Sequence, residues 1–234
     1  MWYFCSMRNK VTKSILLILA FMVNCVAWGK DLSEQDHVRV TFNDGTQIEG
    51  YVTKYWSEPS TFGQMNRVFW LSNGIDGNNP SKYTADEVKS IDFIVKVYDR
   101  NYEHVISAEV ANPSTFKPHR SKKQFVHVES RTSRGTVYWW NAIDSQKMQL
   151  GAVTMSTIYG VCFEGENIIV PFLTGNVISM NALRIVYKKT ERKELVNYLD
   201  KRILKGGSDL WNEVPRNPMM FMDFVEEYYS KVKP

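Results

Sequence analysis

The feature that most restricts the fold of this chain is a strand-turn-strand pattern close to its beginning. Apolar and polar residues alternate in residues 38–42 and again in residues 47–52, and Asp44-Gly45 lies between the two segments. An Asp-Gly pair between two segments of period two is typical of a tight β-hairpin, because the turn requires positive φ angles. The sequence therefore predicts an antiparallel hairpin here.

Further short segments rich in β-branched and aromatic residues follow along most of the chain, separated by turn-forming residues. They are residues 67–71, 82–83, 89–98, 105–110, 125–128, 136–140, 158–163, 168–173 and 177–187. Because no helix-length segments separate them, antiparallel pairing is the economical topology. We expect a mainly β (α+β) fold, with a small N-terminal SH3-like barrel or curled sheet at residues 36–98 and a second antiparallel sheet at residues 99–190.

Helical periodicity is confined to residues 191–234. Two stripes recur at helical spacing, the first formed by Leu195, Val196, Leu199 and Ile203 and the second by Phe221, Phe224, Val225 and Tyr228. An apolar stripe on one side of a helix indicates packing against a core. The sequence therefore predicts two C-terminal helices packed on the sheet.

Residues 1–29 have the pattern of a secretory signal peptide. Three basic residues (Arg8, Lys10 and Lys13) precede an apolar run at residues 15–23, and small residues stand at Ala27 and Gly29. This order of a charged region, a short apolar region and small residues directs a chain to export and cleavage. We expect cleavage after Gly29 and a periplasmic, outer-membrane-associated or extracellular location.

Two alternatives to simple cleavage remain open. The apolar segment could stay uncleaved as an anchor, although a spanning helix needs about 20 predominantly apolar residues. Cys25 could instead be lipidated, which would make the chain a lipid-anchored accessory protein. Membrane contact is expected only in these two cases.

The net charge restricts the partners that the mature chain can bind, and the cysteine content restricts its disulfides. The chain has 29 basic and 25 acidic residues, and loss of residues 1–29 removes three basic residues, which leaves a net charge of +1. Such a small charge gives little attraction to nucleic acid, so no nucleic-acid partner is expected. Cys162 would be the one cysteine left, which excludes an intramolecular disulfide, and its apolar surroundings predict a buried, inert thiol.

The hairpin sequence Val-Arg-Val-Thr-Phe-Asn-Asp-Gly-Thr-Gln-Ile-Glu-Gly resembles the opening of SH3-like and Sm-like small barrels. Sm-like proteins bind RNA in the cytosol, and the predicted export and mature charge argue against that activity here. The whole layout resembles uncharacterised exported proteins of the Bacteroidota. Its shared features are the signal, this hairpin, the Tyr-Thr-Ala-Asp-Glu-Val-Lys-Ser-Ile turn and the closing helices. That resemblance implies location and architecture, not a reaction.

No recognised catalytic or metal motif occurs in the sequence. The spacing of His104, His119 and His127 matches no zinc signature, so neither a metal nor a cofactor is expected. His127 and Glu129 share one face of a predicted strand. Alternation in the next strand places Tyr138 and Trp140 on one face and Trp139 on the other.

These five residues, His127, Glu129, Tyr138, Trp139 and Trp140, are the candidate binding residues. An open aromatic face would bind sugar, peptide or a partner protein, whereas a central strand would bury its rings in cores. We expect a non-enzymatic binding or assembly protein of the cell envelope whose partner is an envelope protein or a glycan. The alternative is an envelope hydrolase with a site between Tyr98 and Glu129.

Overall fold

A computed structural model describes residues 32–57, 66–96, 104–111, 122–143, 155–204 and 208–232. The predicted signal peptide, with Cys25, and His119 lie outside these residues, as does the predicted domain boundary at residue 98. Residues 32–234 belong to one compact unit.

Eleven strands and four α-helices make up the described fold. The strands are β1 (His37–Phe42), β2 (Gln47–Lys54), β3 (Val68–Ser72), β4 (Ser81–Thr84), β5 (Val88–Phe93), β6 (His104–Val110), β7 (Lys122–Thr132), β8 (Gly135–Ile143), β9 (Met155–Phe163), β10 (Ile168–Thr174) and β11 (Val177–Ile178). The helices are α1 (Asn181–Val186), α2 (Lys193–Leu204), α3 (Ser208–Arg216) and α4 (Met220–Lys231), and a short 3-10 turn at Glu34–Asp36 precedes β1.

The first five strands pair in the order β5-β1-β2-β3-β4. The predicted hairpin is present, since β1 and β2 pair antiparallel and Gly45 in the turn has a φ of 87°. One turn joins β4 to β5, and in it the Glu87 carboxylate accepts hydrogen bonds from the backbone N–H and hydroxyl of Thr84. Strand β5 then returns along the other side of β1.

The next five strands close into a ring. Strands β6 to β10 pair consecutively and antiparallel. Strand β10 also pairs with β6 in parallel, through Ile168 opposite Glu109 and Ile169 opposite Val110, and Ile169 accepts a further hydrogen bond from the N–H of Ala111. A five-stranded meander can close only in this way, because its first and last strands run in the same direction. The result is a small barrel.

Side chains from every strand of the ring fill its interior. The buried set is Val110, Val126, Tyr138, Trp140, Ile158 and Ile169. Gly160 lies among them, and a Cβ atom there would be 2.7 Å from Ile169 Cγ2 and 2.9 Å from the Trp140 ring. The barrel is therefore closely packed, and the Trp140 indole occupies the space next to Gly160.

The outer face of the barrel is covered by two different layers. Val105 on β6 and Phe125 on β7 belong to the core of the first five strands. Outward residues of β8 to β10, such as Val161 and Phe172, instead share a core with the four helices. In that core the Phe172 ring stacks on Phe221 of α4 at 4.1 Å. An outer strip of β7, β8 and β9 lies between the two layers.

The structure confirms the mainly β prediction, and it changes three details. All strands belong to one sheet, because β5 pairs with β6 and so joins the two predicted sheets. Two further helices, α1 and α3, accompany the two predicted ones. The prediction of a strand over residues 177–187 was wrong beyond Ile178. Helix α1 forms there instead and buries Ala182 and Leu183.

Candidate functional site

Three in-register side chains cross the outer strip of the barrel. His127 on β7 is opposite Trp139 on β8, and Trp139 is opposite Tyr159 on β9. Directly opposed residues of neighbouring strands have Cβ atoms about 5 Å apart, so their side chains lie side by side on one face. The strand register therefore assembles an imidazole, an indole and a phenol in one row.

His127 forms the buried end of this row, with 2% of its surface exposed. The indole Nε1 of Trp56 donates a hydrogen bond to its Nε2 at 3.3 Å, and its ring stacks on Trp139 with centroids 3.9 Å apart. Burial lowers the pKa of His127 to about 3, because the charged ring would lose its hydration. The imidazole is therefore neutral at physiological pH and supports the indole of Trp139.

Trp139 is half-buried and forms one wall of an open cleft of about 280 Å³. The other lining residues are Glu129, Thr157 and Tyr159. Glu129 is the extra residue of a β-bulge in β7, between Val128 and Ser130. Bulges redirect side chains, and this one brings the carboxyl group of Glu129 to the cleft.

Burial also alters the ionisation of two cleft residues. It raises the pKa of Glu129, which is exposed but loses part of its hydration to the neighbouring protein, and this disfavours the carboxylate. It raises the pKa of Tyr159 as well, and the neighbouring Glu129 adds to that effect. Tyr159 therefore keeps its proton and can donate a hydrogen bond, while Glu129 can accept one.

Tyr138 and Trp140 lie on the opposite face of β8. Their exposed fractions are 9% and 3%, and both rings belong to the barrel interior. The predicted alternation is therefore present, with Trp139 on the outer face. Of the five candidate residues, the structure brings His127, Glu129 and Trp139 together and separates Tyr138 and Trp140 from them.

Two cleft residues, Thr157 and Tyr159, were missed by sequence reasoning. Both lie on β9, with Tyr159 inside the predicted strand of residues 158–163 and Thr157 one residue before it, and neither was given a functional role. Only the pairing of β8 with β9 places Tyr159 beside Trp139 and Thr157 beside Asn141. Alternation could have assigned them to one face, but the sequence holds no signal for that register.

The cleft combines an aromatic surface with a carboxyl group and two hydroxyl groups. Such a set can stack against the apolar face of a ring and exchange hydrogen bonds with its polar edge. Within the residues that the structure describes, no group of three or more His, Cys, Asp or Glu residues could hold a metal ion. The groups that line the cleft are an indole, a carboxyl group and two hydroxyl groups.

A second histidine lies apart from the cleft. His104 Nδ1 is 2.5 Å from the Asp92 carboxylate, at the point where β5 pairs with β6. In the part of the chain that the structure describes, Asp92 is the only hydrogen-bond partner of this imidazole. A histidine held by a carboxylate is one part of the arrangement that acyl-transfer enzymes use.

Cys162 lies near one end of the barrel and is half-buried rather than fully buried. Its thiol donates to the backbone carbonyl of Glu166 at 3.4 Å. Burial raises the pKa of Cys162 to about 11, and the charge of Glu166 adds to the effect. The thiol is therefore largely protonated at neutral pH, as the prediction of an inert cysteine requires.

The fold and the site together define a mainly β protein with an aromatic cleft on the outside of a small barrel. No family model matches the chain, and neither a curated protein nor a solved structure matches it. None of the described helices is both long and apolar enough to cross a membrane.

Proposed function

We propose that this chain is an exported, non-enzymatic binding protein of the cell envelope and that the Trp139 cleft is its recognition site. The observation that carries the proposal is the support of Trp139 by a buried, neutral imidazole, while the rest of the indole borders an open cleft. A rigid aromatic side chain that loses little conformational freedom on binding is typical of recognition sites.

A glycan is the ligand class that the cleft fits best. The apolar face of a sugar ring packs on an indole, and sugar hydroxyls both donate and accept hydrogen bonds. Glu129 supplies an acceptor, while Thr157 and Tyr159 supply hydroxyl groups beside the Trp139 ring. An envelope protein remains the alternative partner.

Binding is tested with Trp139→Ala and a matched tryptophan control. Trp70 is also half-buried, but it lies on β3 between the ammonium groups of Lys54 and Lys82. We expect purified protein to co-sediment with insoluble peptidoglycan or to bind chitotetraose in calorimetry. Trp139→Ala should weaken that binding by about tenfold or more, and Trp70→Ala should leave it unchanged.

Two results would contradict the assignment of the cleft. Equal loss of binding in two correctly folded tryptophan variants would show that the loss is not specific to the cleft. Glycan binding that survives in the correctly folded Trp139→Ala variant would place the site elsewhere. If neither glycan binds, an envelope protein recovered by cross-linking at Trp139 becomes the partner to test.

Export is supported by the basic, apolar and small-residue order of residues 1–29. We expect the intact mass of the exported protein to correspond to a chain that starts at Lys30. A diacylglyceryl group on Cys25 would instead identify a lipid-anchored protein. A mass that retains all of residues 1–29 would identify an uncleaved anchor.

The envelope-hydrolase alternative has one observation in its favour, the His104 and Asp92 pair. Buried His127 does not support it, because its Nε2 accepts a hydrogen bond from Trp56. Turnover of any envelope-derived ester, amide or glycoside that is lost in His104→Ala would favour the hydrolase. We expect no such activity.

A further inference from the structure

We propose a second binding site, unrelated to the Trp139 cleft, in the groove between α1 and α2. The structure assigns it to a single anionic amphiphile, a free aliphatic carboxylate, with the chain in the groove and the carboxylate at its basic rim. Shape, apolar lining and charge each support this assignment.

The groove has a volume of about 320 Å³, at the lower end of the range for small-molecule sites. Its lining includes Tyr187 and Val196, which are almost fully buried and belong to the core under the helices. Ile185 also lines it and keeps 49% of its surface exposed. An aliphatic chain in the groove would remove this apolar surface from water.

All charged side chains that line the groove are cationic, namely Arg184, Lys188 and Lys193. Arg184 is already compensated, because it forms an ion pair with Asp200 and donates a hydrogen bond to Asn181. Lys188 and Lys193 are exposed, and neither has a carboxylate within ion-pair distance among the described residues. The rim therefore offers two uncompensated positive charges to an anion.

The shape favours one chain over an extended membrane surface. The apolar residues line a concave groove between the turn after α1 and the first turns of α2. A flat bilayer contacts residues that project outward, such as Ile185, and would leave the groove beside it unfilled. A single aliphatic chain can enter the groove and fill it.

The test uses dodecanoate below its critical micelle concentration, with calorimetry on the purified protein. We expect one-site binding that weakens at least tenfold in Lys188→Glu/Lys193→Glu and severalfold in Ile185→Ser. Lys201→Glu is the matched control, because Lys201 is an exposed lysine of α2 that does not line the groove, and it should bind like the parent. All substituted positions are exposed, so the variants should keep the parent melting temperature.

Two comparison ligands make the result decisive. Dodecyltrimethylammonium has the same chain with a positive head, and equal affinity for it would overturn the role of the lysines. Sedimentation with phosphatidylglycerol vesicles in the absence of dodecanoate binding would overturn the proposal in favour of a membrane surface. Absence of binding to dodecanoate and to the vesicles would overturn the proposal outright. None of these results affects the Trp139 cleft.

Discussion

The indole of Trp56 donates its Nε1 proton to Nε2 of His127 across 3.3 Å, and this hydrogen bond joins residues 71 positions apart in the chain. Trp56 lies in the core of the first five strands, where its ring contacts Phe69, Phe93 and Phe125. His127 lies on the outer face of the barrel and stacks on Trp139. The cleft is thus linked to the N-terminal core through one neutral imidazole, whose accepting Nε2 places the ring proton on Nδ1.

This relationship predicts a specific pH dependence of stability. Histidine in an unfolded chain has a pKa near 6.5, whereas burial lowers the pKa of His127 to about 3 in the folded protein. Between these values the unfolded chain binds one more proton than the folded chain. The contribution of His127 to the free energy of unfolding is therefore complete above pH 6.5 and decreases by about 1.4 kcal/mol per pH unit as the pH falls toward 3.

Urea unfolding at pH 7 and pH 5 measures this effect against His127→Phe. Carboxylates titrate in both proteins, so the difference between the two pH responses isolates the imidazole. We expect the parent to lose about 2 kcal/mol more than the variant between these pH values. Equal losses would show that His127 titrates normally and is not held in the buried, neutral form.

The close surroundings of Gly160 predict that a larger side chain at this position destabilises the barrel. A Cβ atom there would approach Ile169 Cγ2 at 2.7 Å and the six-membered ring of Trp140 at 2.9 and 3.0 Å. Gly160→Ala should therefore cost about 1–3 kcal/mol of unfolding free energy, because the closed ring leaves little room for adjustment. Chemical denaturation checks the value.

A double-mutant cycle with Trp140→Phe tests whether contact with the Trp140 ring causes the destabilisation in Gly160→Ala. Phenylalanine removes the part of the indole that Gly160→Ala would contact, although it costs stability by itself. The double variant should be less destabilised than the sum of the single ones by at least 0.5 kcal/mol. Additive effects would mean that the alanine is tolerated by movement elsewhere.

Most strands could be predicted because their signals are local. The Asp44-Gly45 turn and the alternation around it predict the first hairpin, and residues 136–140 predict β8. Helix α1 was missed because residues 177–187 read as apolar and β-branched, which fits a strand equally well. The core under α2 and α4 favours a helix there, since Leu183 and Tyr187 then bury on one side.

The candidate site could be predicted only in part, for a related reason. Alternation alone separates Trp139 from Tyr138 and pairs His127 with Glu129 on one face of β7. The closing contact between β6 and β10 joins residues about 60 positions apart, such as Val110 and Ile169, and no local pattern specifies it. Contacts that depend on closure of the barrel therefore cannot be predicted from the sequence. The same holds for the positions of the two layers that flank the cleft.

Cys162 provides a kinetic prediction. Its pKa is raised from 9.0 to about 11, so its thiolate fraction near pH 8 should be about 100-fold lower than that of an unperturbed thiol. The reaction of Cys162 with a thiol reagent should therefore be slow in native buffer and fast in urea. The measurement uses Cys5→Ser/Cys25→Ser, which leaves Cys162 as the one remaining cysteine. Comparable native and denatured rates would contradict the protected environment described for this thiol.

The last helix, α4, supplies a test of how the helical layer is held. Its predicted stripe is buried as expected, since Phe221, Phe224, Val225 and Tyr228 all belong to the core between the helices and the barrel. A helix of this length is marginal in water alone, so its persistence depends on that contact. The Phe224 ring is 5% exposed and is covered by the Arg202 guanidinium at 5.0 Å.

Phe224→Ala should cost about 3–5 kcal/mol, because it leaves a cavity against a layer already fixed by the stacking of Phe221 on Phe172. Total stabilities of single domains are about 5–15 kcal/mol, so the melting temperature should fall clearly. Ser230→Ala, an exposed change on the same helix, should have little effect.

If Phe224→Ala melts within about a degree of the parent and truncation before Asn217 also leaves stability unchanged, α4 does not hold the helical layer on the barrel. The stripe would then be a docking surface for another protein, because its apolar side chains would be exposed whenever the helix separates from the sheet.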